Sequence, residues 1–393
     1  MPSFVSHLEC PRCGSRFDHR EVVNVCACGS PLLVEYDLER VAAATSKDEV
    51  AGREATMWRY REFLPVEDRR RIVTLGEGFT PLMPASRLGE GVGLPDLWVK
   101  DEGLNPTGTF KARGAACGVT AAGERGVKEV ALPSAGNAGG AWAAYGAAAG
   151  MAVHVTVPAD TPELMRLECE AFGAEVTLVD GFISDAGSLV AEGVREHGWF
   201  DVATLREPYR IEGKKTLGLE IAEQLGWRFP DAIVYPAGGG VGIIGIWRAL
   251  AQLRRVGWVE GELPRLVVVQ ADGCAPLVNA FAQGANEAEP WPDPDTIAVG
   301  LRVPRALGDF LVLRAVRETG GTAVSVSDRA ILSAMSRMAR EAAILPCPEG
   351  AATLAAVEVL RSSGDLDGSE RVVLINTGTG LKYPDLLQQR EGA

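Results

Sequence analysis

The sequence predicts an α/β protein with two parallel-sheet α/β domains and a small N-terminal zinc-ribbon-like segment. Short apolar runs alternate with helix-compatible segments along most of the chain, and 46 glycines punctuate the 393 residues, of which 47% are hydrophobic. Apolar runs without polar alternation are typical of strands that are buried on both faces of a parallel sheet. The series is too long and irregular for one sheet, so we expect two domains with a cleft between them.

The predicted strands are short apolar runs bounded by turn residues. In chain order they are Leu32–Tyr36, Val130–Leu132, Ala152–Val157, Glu175–Val179, Ala232–Tyr235, Leu266–Gln270 and Val372–Ile375. The predicted helices are Ala138–Gly150, Pro162–Phe172, Gly187–His197, Glu212–Leu225 and Gly242–Arg254. The stretch from Ser46 to Arg71 is predicted to be a linker plus a helix, and Gly284–Asp295 a surface loop.

Charge and apolar patterning argue against two kinds of partner. The formal net charge is −13, so we expect no nucleic-acid partner, although glycine-loop amides still bind anions locally. No apolar stretch is long enough to span a bilayer. The segment Met1–His7 lacks the basic and apolar regions of a signal peptide. We therefore expect a cytoplasmic protein without a membrane partner.

Four cysteines form two close pairs near the N-terminus. Cys10 and Cys13 flank two residues, Cys26 and Cys28 flank one, and a glycine follows each pair. Four thiolates on two tight turns are typical of a structural zinc site, which leaves no open coordination position for catalysis. Because the second pair is C-x-C rather than C-x-x-C, free or degenerate thiols are the alternative.

The other histidines and cysteines near or beyond this segment are not expected to bind metal. We expect His7 and His19 to face solvent rather than to serve as substitute ligands. The remaining cysteines are scattered in apolar or turn contexts and are expected to be packed thiols. They are Cys117, Cys169, Cys274 and Cys347.

Lys111 is the residue whose context most directly predicts catalysis. Turn-forming residues from Asn105 to Thr109 lead up to it, and an alanine-rich, helix-compatible run follows. A lysine in an apolar pocket at the start of an element can lose its proton and form a Schiff base with an aldehyde cofactor. The alternative is a surface lysine beside a turn, which leaves three further segments unexplained.

The first of these segments is Ser134–Gly140, between a predicted strand and a predicted helix. Strand–loop–helix junctions at the carboxyl edge of a parallel sheet are where ligands bind. Asn137 offers both a donor and an acceptor at this junction. The alternative for Asn137 is a helix cap within a turn.

The second segment is a glycine run that predicts a phosphate site. It consists of Gly238, Gly239, Gly240, Val241 and Gly242, after a predicted strand. Consecutive glycines expose backbone amides to an anion, and the dipole of the next helix lies behind them. The run lacks the ending of a nucleotide P-loop, and no acidic residue follows at a strand end about 20 residues later, as a dinucleotide site requires. A monophosphate cofactor therefore fits best.

The third segment, Asn376–Lys382, follows the last predicted strand. The Thr377 hydroxyl is suited to exchange a hydrogen bond with a ring nitrogen, and a neutral partner leaves that nitrogen largely unprotonated. A lysine for an aldehyde, an asparagine for a ring substituent, a glycine run for a phosphate and a threonine for a ring nitrogen together describe pyridoxal 5'-phosphate.

With these motifs in this order, the chain resembles the tryptophan synthase β-like (fold type II) pyridoxal-phosphate enzymes, and within them the threonine synthases. The resemblance covers nearly the whole chain, including the N-terminal cysteine segment. Its motifs are Asn105–Gly114, Ser134–Gly140, Pro208–Thr216, the glycine run, Pro348–Ala352 and Thr377–Lys382. It implies a small-molecule amino-acid substrate, the conversion of O-phosphohomoserine and water to threonine and phosphate, and a homodimer.

The resemblance also implies a role for each cofactor-site residue. Lys111 carries the Schiff base and shuttles protons, Asn137 contacts the ring hydroxyl, and Thr377 meets the pyridine nitrogen. Gly238–Gly242 hold the phosphate, and Phe110 packs near the ring. The implied domains are a zinc-ribbon-like segment (1–40), a large cofactor domain (41–108 and 212–393) and a smaller domain (109–211).

Further residues are implied to contact the substrate, and each has an alternative. Arg210 matches a position that helps to bind the substrate phosphate, or it is a structural surface arginine. Glu349 lines the cleft, or it caps the helix that follows. Ser134 binds the substrate carboxylate with the loop amides, or it only marks a helix entry. Lys214 and Lys215 are phosphate ligands, or a solvated charge run.

The chain departs from the threonine synthase pattern at three places. Ala112 follows the lysine where many members have aspartate, and Ala138 follows the asparagine where many have threonine. The segment 204–207 replaces one that commonly offers asparagine and serine, and Arg206 is a candidate substitute for the lost phosphate contacts. A related enzyme with a different substrate is therefore an alternative, either a threonine/serine dehydratase-type ammonia-lyase or a β-replacement enzyme such as a cysteate synthase. From other classes, the alternatives are a zinc-ribbon nucleotide-binding or regulatory protein with a dead active site, and an NAD-linked oxidoreductase.

Overall fold

The structure is a computed structural model that describes residues 3–181 and 183–388. The chain divides into two compact units. Unit 1 contains the residues up to Phe79 together with Lys111–Thr216, and unit 2 contains Thr80–Phe110 together with the residues from Leu217 onward. The three-part division expected from the sequence stays a prediction.

The strands of the described residues are numbered in chain order. They are β1 (Val5–Glu9), β2 (Arg16–Phe17), β3 (Leu33–Tyr36), β4 (Leu82–Pro84), β5 (Leu97–Asp101), β6 (Glu129–Pro133), β7 (Ala152–Pro158), β8 (Glu175–Val179), β9 (Phe200–Asp201), β10 (Ala232–Pro236), β11 (Arg265–Ala271), β12 (Thr322–Val326) and β13 (Val372–Asn376).

The α-helices are numbered in the same way. They are α1 (Leu38–Ala44), α2 (Lys47–Ala51), α3 (Ser86–Val92), α4 (Lys111–Glu124), α5 (Asn137–Ala149), α6 (Glu163–Ala171), α7 (Ile183–His197), α8 (Tyr209–Gln224), α9 (Val241–Arg255), α10 (Pro276–Ala282), α11 (Asp309–Glu318), α12 (Asp328–Ala342), α13 (Pro348–Ser363) and α14 (Pro384–Gln388). Within the described ranges, none of these helices combines the length and apolar character needed to cross a membrane.

Unit 1 contains two sheets that share one apolar core. The N-terminal sheet is antiparallel, in the order β2-β1-β3, and the second sheet is parallel, in the order β8-β7-β6-β9. Leu8 and Val34 of the first sheet belong to the same buried cluster as Val130 and Val155 of the second. The cysteine segment is therefore built into the core of unit 1, because burial of shared apolar surface joins the two sheets.

Unit 2 is built on one six-stranded sheet in the order β12-β11-β10-β13-β5-β4. Only β4, at one edge, runs antiparallel to its neighbour, β5. In the interior, Val234 lies opposite both Val267 and Leu374, and all three are buried. Since β10 and β13 are parallel neighbours, the segments that follow them lie at the same edge of the sheet. The glycine run follows β10, and Thr377 follows β13 directly.

The structure confirms every strand and helix predicted from the sequence, with ends displaced by a few residues at most. The stretch from Ser46 to Arg71 contains the short helix α2 and two 3-10 segments, Met57–Phe63 and Arg69–Arg71. Gly284–Asp295 contains neither helix nor strand, as expected of a surface loop. The strands β1, β2, β4, β5, β9 and β12 were not predicted.

Candidate active site

Lys111 begins a helix directly after two short turns. The segments Glu102–Leu104 and Pro106–Gly108 are single 3-10 turns, and Thr107 adopts a left-handed conformation with φ of 59°. Helix α4 then starts at Lys111, whose side chain is half-buried. Lys111 is therefore not the exposed surface lysine of the alternative interpretation.

The segment that precedes Lys111 is paired with the segment that contains Thr377. The backbone N–H of Phe110 donates to the carbonyl oxygen of Thr377 over 2.9 Å. The N–H of Thr379 donates to the carbonyl oxygen of Gly108, also over 2.9 Å. These two hydrogen bonds form a short antiparallel pair within unit 2, which fixes Gly108–Phe110 against the segment that follows β13.

The glycine run lies at the start of α9, where the chain leaves room only for glycine. Gly240 is the N-cap of this helix and adopts a left-handed conformation with φ of 75°. A Cβ atom on Gly240 would lie 2.2 Å from Cγ2 of Val312, and one on Gly242 would lie 2.0 Å from the hydroxyl of Tyr235. The first amides of a helix have no intrahelical acceptor, so this turn provides the donors that a phosphate monoester requires.

Thr377 is buried beside a cysteine. Its hydroxyl oxygen lies 3.4 Å from Sγ of Cys347, and that sulfur also accepts the N–H of Gly350 over 3.3 Å. Burial raises the pKa of the Cys347 thiol well above its ordinary value, so the thiol keeps its proton. Its S–H has two acceptors within reach, Oδ1 of Asn376 at 3.9 Å and the Thr377 oxygen at 3.4 Å, and in the second contact either group is able to donate.

Glu349 is buried near the glycine run and does not cap its helix. The N-cap of α13 is Cys347, so the capping alternative for Glu349 is wrong. Its carboxylate accepts the N–H of Gly300 over 2.7 Å and the hydroxyl of Tyr383 over 3.1 Å. Because a Cβ on Gly238 would lie 2.2 Å from the carbonyl oxygen of Gly300, Glu349 is joined to the glycine run through Gly300. Unit 2 thus brings its predicted site residues together.

In unit 1, the loop before α5 holds Ser134 and Asn137. The Ser134 hydroxyl accepts the N–H of Gly139 over 3.0 Å and donates to the carbonyl oxygen of Gly136 over 2.8 Å. Asn137 is the first helical residue, and the N-cap is Gly136, without a side-chain cap hydrogen bond. Asn137 is therefore not a helix cap. Ser134 does serve the helix entry, and its contact with a substrate carboxylate stays a prediction.

Arg210 is buried, so the alternative of a surface arginine is wrong. Its side chain is 4% exposed, and its guanidinium donates to the carbonyl oxygen of Val202 and, over 3.2 Å, to the hydroxyl of Thr204. Its Nε lies 3.6 Å from the carboxylate of Glu207. Burial raises the pKa of Glu207 to about 7, while Arg210 opposes the rise. Burial has the opposite effect on the pKa of Arg210 and lowers it, because in both residues it disfavours the charged form.

Arg210 also packs against the helix that begins at Lys111. A Cβ on Gly114, one turn into α4, would lie 2.7 Å from Cγ of Arg210. The guanidinium carbon lies 5.4 Å from the ring centroid of Trp142 on α5, a distance at which a cation and a ring attract. Unit 1 therefore places Arg210 beside both helices whose first turns carry Lys111 and Asn137.

Lys214 and Lys215 are not a solvated charge run, because the structure buries both. Their exposed fractions are 1% and 0%. Lys215 forms an ion pair with Glu212, which also accepts the hydroxyl of Tyr36 over 2.7 Å. A buried charge requires such a partner, and Lys215 is therefore committed to a contact between α8 and the N-terminal sheet.

The four N-terminal thiols converge. The sulfurs of Cys10, Cys13, Cys26 and Cys28 all lie within 4.8 Å of one another, and the shortest separations are 3.5 Å. Zinc–sulfur bonds of about 2.3 Å in a tetrahedron place sulfurs about 3.8 Å apart. The donor set and its spacing therefore fit a tetrahedral zinc ion.

One expectation for the neighbouring histidines is wrong. His19 is 7% exposed rather than solvent-facing, its Nδ1 lies 3.3 Å from the carboxylate of Glu67, and burial lowers its pKa. His7 is partly exposed and contacts Glu9. The remaining cysteines are buried thiols, as predicted: Cys117, Cys169, Cys274 and Cys347.

Sequence reasoning missed Tyr235, Gly300 and Cys347 as neighbours of the predicted residues. Tyr235 contacts the glycine run, and its ring meets Phe110 edge-on with centroids 6.3 Å apart. Gly300 contacts Glu349, which is 49 residues away in the sequence, and Cys347 contacts Thr377, which is 30 residues away. No local pattern marks such contacts, because only folding brings their partners together.

Comparison with known proteins places this chain in a family. Residues 73–378 match the model of the pyridoxal-phosphate dependent enzymes. The chain is 37% identical to a threonine synthase of Methanocaldococcus jannaschii, over 96% of this chain and 93% of that protein. It is 38% identical to a threonine synthase of Methanosarcina acetivorans, over 96% and 92%.

A solved structure shares the fold. The structure of maize serine racemase matches with a TM-score of 0.69 and 26% identity, over 79% of this chain and 90% of that one. The chain therefore belongs to the pyridoxal-phosphate dependent enzyme family, with the fold type II architecture, and pyridoxal 5'-phosphate is its cofactor. Within this family, several of its relatives are threonine synthases at 33% to 38% identity.

Proposed function

We propose that this enzyme is a threonine synthase, which converts O-phosphohomoserine and water to threonine and phosphate. The observation that carries the proposal is the similarity to threonine synthases along 96% of the chain. This similarity extends beyond residues 73–378, the part of the chain that matches the model of the whole cofactor family.

The residues of the chain fit pyridoxal phosphate. The glycine run from Gly238 to Gly242 would hold its phosphate, because the run offers helix-start amides and excludes side chains. Thr377 would meet the ring nitrogen, Asn137 the ring hydroxyl, and Lys111 the aldehyde carbon; Phe110 would pack near the ring. When bound, the cofactor supplies an electron sink for the carbanion that forms beside the substrate nitrogen.

The remaining roles in the reaction fall to side chains of the protein. Nζ of Lys111 removes the α-proton of the substrate and later returns a proton, for which its position at a helix start beside apolar residues suits it. Thr377 carries no charge, so it leaves the ring nitrogen largely unprotonated. Glu349, with its carboxylate held by Gly300 and Tyr383, lines the same part of unit 2 and contacts the substrate.

Expulsion of phosphate requires a second anion site, and Arg210 is the residue proposed for it. A buried guanidinium binds a phosphate strongly, because little water competes for its donors. The ammonium of Lys214 is a second candidate, since its Cε lies 3.3 Å from the position of a Cβ on Gly114, beside Arg210. Ser134 is proposed to contact the substrate carboxylate with the loop amides, which requires its present hydrogen bonds to open.

A second candidate function is a dehydratase-type ammonia-lyase. The observation that favours it is the carboxylate of Glu207, 3.6 Å from Nε of Arg210. Above its raised pKa of about 7, this carboxylate is negatively charged and offsets part of the attraction of Arg210 for a phosphate dianion. A dehydratase needs no second phosphate site and would tolerate this neighbour.

The four converged thiols are proposed to bind one structural zinc ion per chain. Their convergence within 4.8 Å supports this proposal, and four protein ligands leave no position for a substrate. A homodimer, implied by the family resemblance, and a cytoplasmic location, expected from the sequence, are likewise proposals, which sedimentation and cell fractionation would test.

Assays with two substrates separate the two candidate functions. The cofactor-loaded enzyme is incubated with O-phosphohomoserine, while phosphate and threonine are followed together by chromatography. A threonine synthase releases them in equal amounts, and Lys111→Ala abolishes both. A dehydratase instead releases ammonia from serine or threonine and no phosphate from O-phosphohomoserine.

A further inference from the structure

Asn24 connects the cysteine segment to a distant loop of unit 1. It lies two residues before Cys26. Its side-chain amide donates to the carbonyl oxygen of Asp201 over 2.6 Å and to that of Arg206 over 3.0 Å. One amide group therefore uses both of its hydrogens to join two backbone positions that are five residues apart.

The residues between these two carbonyls form the loop that holds Arg210. The guanidinium of Arg210 donates to the carbonyl oxygen of Val202 and to the hydroxyl of Thr204. Asn24 thus holds the two ends of the loop, while Arg210 bonds to its interior. The loop defines where the guanidinium lies.

The backbone of this loop is strained. Leu205 is 1% exposed and has φ of 64°, a left-handed conformation that branched side chains rarely adopt. Such conformations persist only where the surrounding structure fixes them. The hydrogen bond from Asn24 to Arg206 acts on the next residue, so it is well placed to hold this conformation.

A second contact from the same segment acts on the residue directly before Arg210. The carbonyl oxygen of His19 accepts two hydrogen bonds from Arg125, over 2.8 and 2.6 Å, and one from the hydroxyl of Tyr209 over 3.4 Å. Tyr209 directly precedes Arg210 at the start of α8. The cysteine segment therefore contacts both the 201–206 loop and the residue that directly precedes the predicted phosphate ligand.

We propose that Asn24 is a positioning residue for Arg210, and that the cysteine segment contributes to substrate phosphate binding by presenting it. This inference rests on the proposed function, because it takes Arg210 as a ligand of the substrate phosphate. It goes beyond that function in giving the N-terminal segment, which precedes the matched family region at residue 73, a part in the affinity for the substrate.

The test compares Asn24→Asp with wild type in the full-length, cofactor-loaded enzyme. The substitution keeps the shape of the side chain but removes both donors and turns a carboxylate toward two carbonyl oxygens. Asn24→Ala is the second variant, and Glu21→Ala is the matched control, since Glu21 is an exposed residue of the same segment. The measurements are backbone hydrogen exchange of peptides covering 201–210, KM and kcat for O-phosphohomoserine, and inhibition by inorganic phosphate.

We expect both Asn24 variants to exchange about tenfold faster or more in 202–207, because the two carbonyls lose the side chain that ties the ends of the loop together. We expect KM and the inhibition constant of phosphate to rise together by about tenfold, with kcat changed much less. The absorbance of bound cofactor and the metal content stay as in wild type. Glu21→Ala changes none of these quantities.

Two results would overturn the inference. Unchanged exchange in 202–207 would show that Asn24 does not hold the loop. Faster exchange with unchanged KM and unchanged phosphate inhibition would show a structural contact without influence on Arg210. Arg210→Gln separates this second result from a failure of the proposed function: if it too leaves phosphate inhibition unchanged, the phosphate does not bind at Arg210.

Discussion

The backbone N–H of Phe110 donates to the carbonyl oxygen of Thr377 over 2.9 Å. One hydrogen bond thus joins the residue before the predicted Schiff-base lysine to the residue predicted to meet the ring nitrogen. The two are 267 positions apart in the sequence, 377 less 110, so the pair exists only because β13 lies beside β5 in the sheet of unit 2.

Gly240→Ala tests whether the glycine run is a phosphate site. Its Cβ would lie 2.2 Å from Cγ2 of Val312, at φ of 75°, so we expect a loss of stability of about 2 to 4 kcal/mol and much weaker cofactor binding. Gly257, which follows the same helix with φ of 71° and open space around it, provides the matched control. Thermal unfolding and cofactor titration measure both effects.

Gly257→Ala should cost only the backbone penalty of about 1 kcal/mol and leave cofactor affinity unchanged. Gly240→Ala combined with Val312→Ala should recover part of the lost stability. Equal cofactor affinity in the Gly240 and Gly257 variants would contradict the assignment of the phosphate site.

Metal analysis tests the cysteine site. Purified wild-type protein is expected to contain one zinc per chain, and Cys13→Ala to lose it, because three thiolates bind the ion more weakly than four. Cys274→Ala, which removes a buried thiol outside the cluster, should retain the metal. Metal removal is expected to lower the thermal unfolding midpoint, since binding to the folded state adds to its stability. Zinc-free wild-type protein with an unchanged midpoint would refute the site.

The pH dependence of stability tests the environment of Glu207. Burial raises its pKa to about 7 from an ordinary value of 4.5, so between these values the folded state holds a proton that the unfolded state has lost. The unfolding free energy of wild type should therefore fall as pH rises through this window, by up to about 3 kcal/mol. Denaturation of wild type and Glu207→Gln from pH 4.5 to 8 measures the difference, with Glu21→Gln as an exposed control.

The wild type should lose stability relative to Glu207→Gln as pH rises, whereas Glu21→Gln should follow wild type at every pH. If the unfolding free energy of wild type, relative to that of Glu207→Gln, stayed constant or grew toward pH 8, Glu207 would be ionised throughout this range.

A buried ion pair in unit 2 gives a fourth prediction. Nζ of Lys100 lies 2.6 Å from the carboxylate of Glu220, 2.6 Å from the carbonyl oxygen of Thr80 and 2.9 Å from Oε1 of Gln224, and both charged side chains are fully buried. Lys100→Met leaves the carboxylate without its lysine, so we expect a loss of about 3 to 5 kcal/mol. Urea denaturation measures it.

The double variant Lys100→Met with Glu220→Leu is the control. It removes both charges together and should recover most of the lost stability. A double variant as unstable as Lys100→Met alone would mean that packing, rather than an uncompensated charge, dominates the loss.

Local pattern was enough to predict the central strands. β10, β11 and β13 are nearly continuous apolar runs that are buried on both faces, and such runs are the pattern that predicts strands of a parallel sheet. β5 was missed because Lys100 and Asp101 interrupt its apolar run, although both are buried. β12 was missed because it lies at a sheet edge and is only half-buried.

The candidate site could be predicted only where a motif is contiguous. Lys111, the glycine run and Thr377 each stand beside turn residues that mark a helix start or a strand end. The buried charges of Arg210, Lys214 and Lys215 could not be predicted, because charged side chains are usually exposed and their partners lie elsewhere in the chain. The contact of Asn24 with the 201–206 loop could not be predicted either, because its partners lie far away in the sequence.

The most direct test of the account is turnover of O-phosphohomoserine by the purified, cofactor-loaded enzyme, with phosphate and amino acids measured in the same samples. The account predicts equal amounts of phosphate and threonine, both abolished by Lys111→Ala. No phosphate release, together with ammonia release from serine or threonine, would contradict it and would show that the replaced residues around Lys111 and Arg210 serve a different substrate.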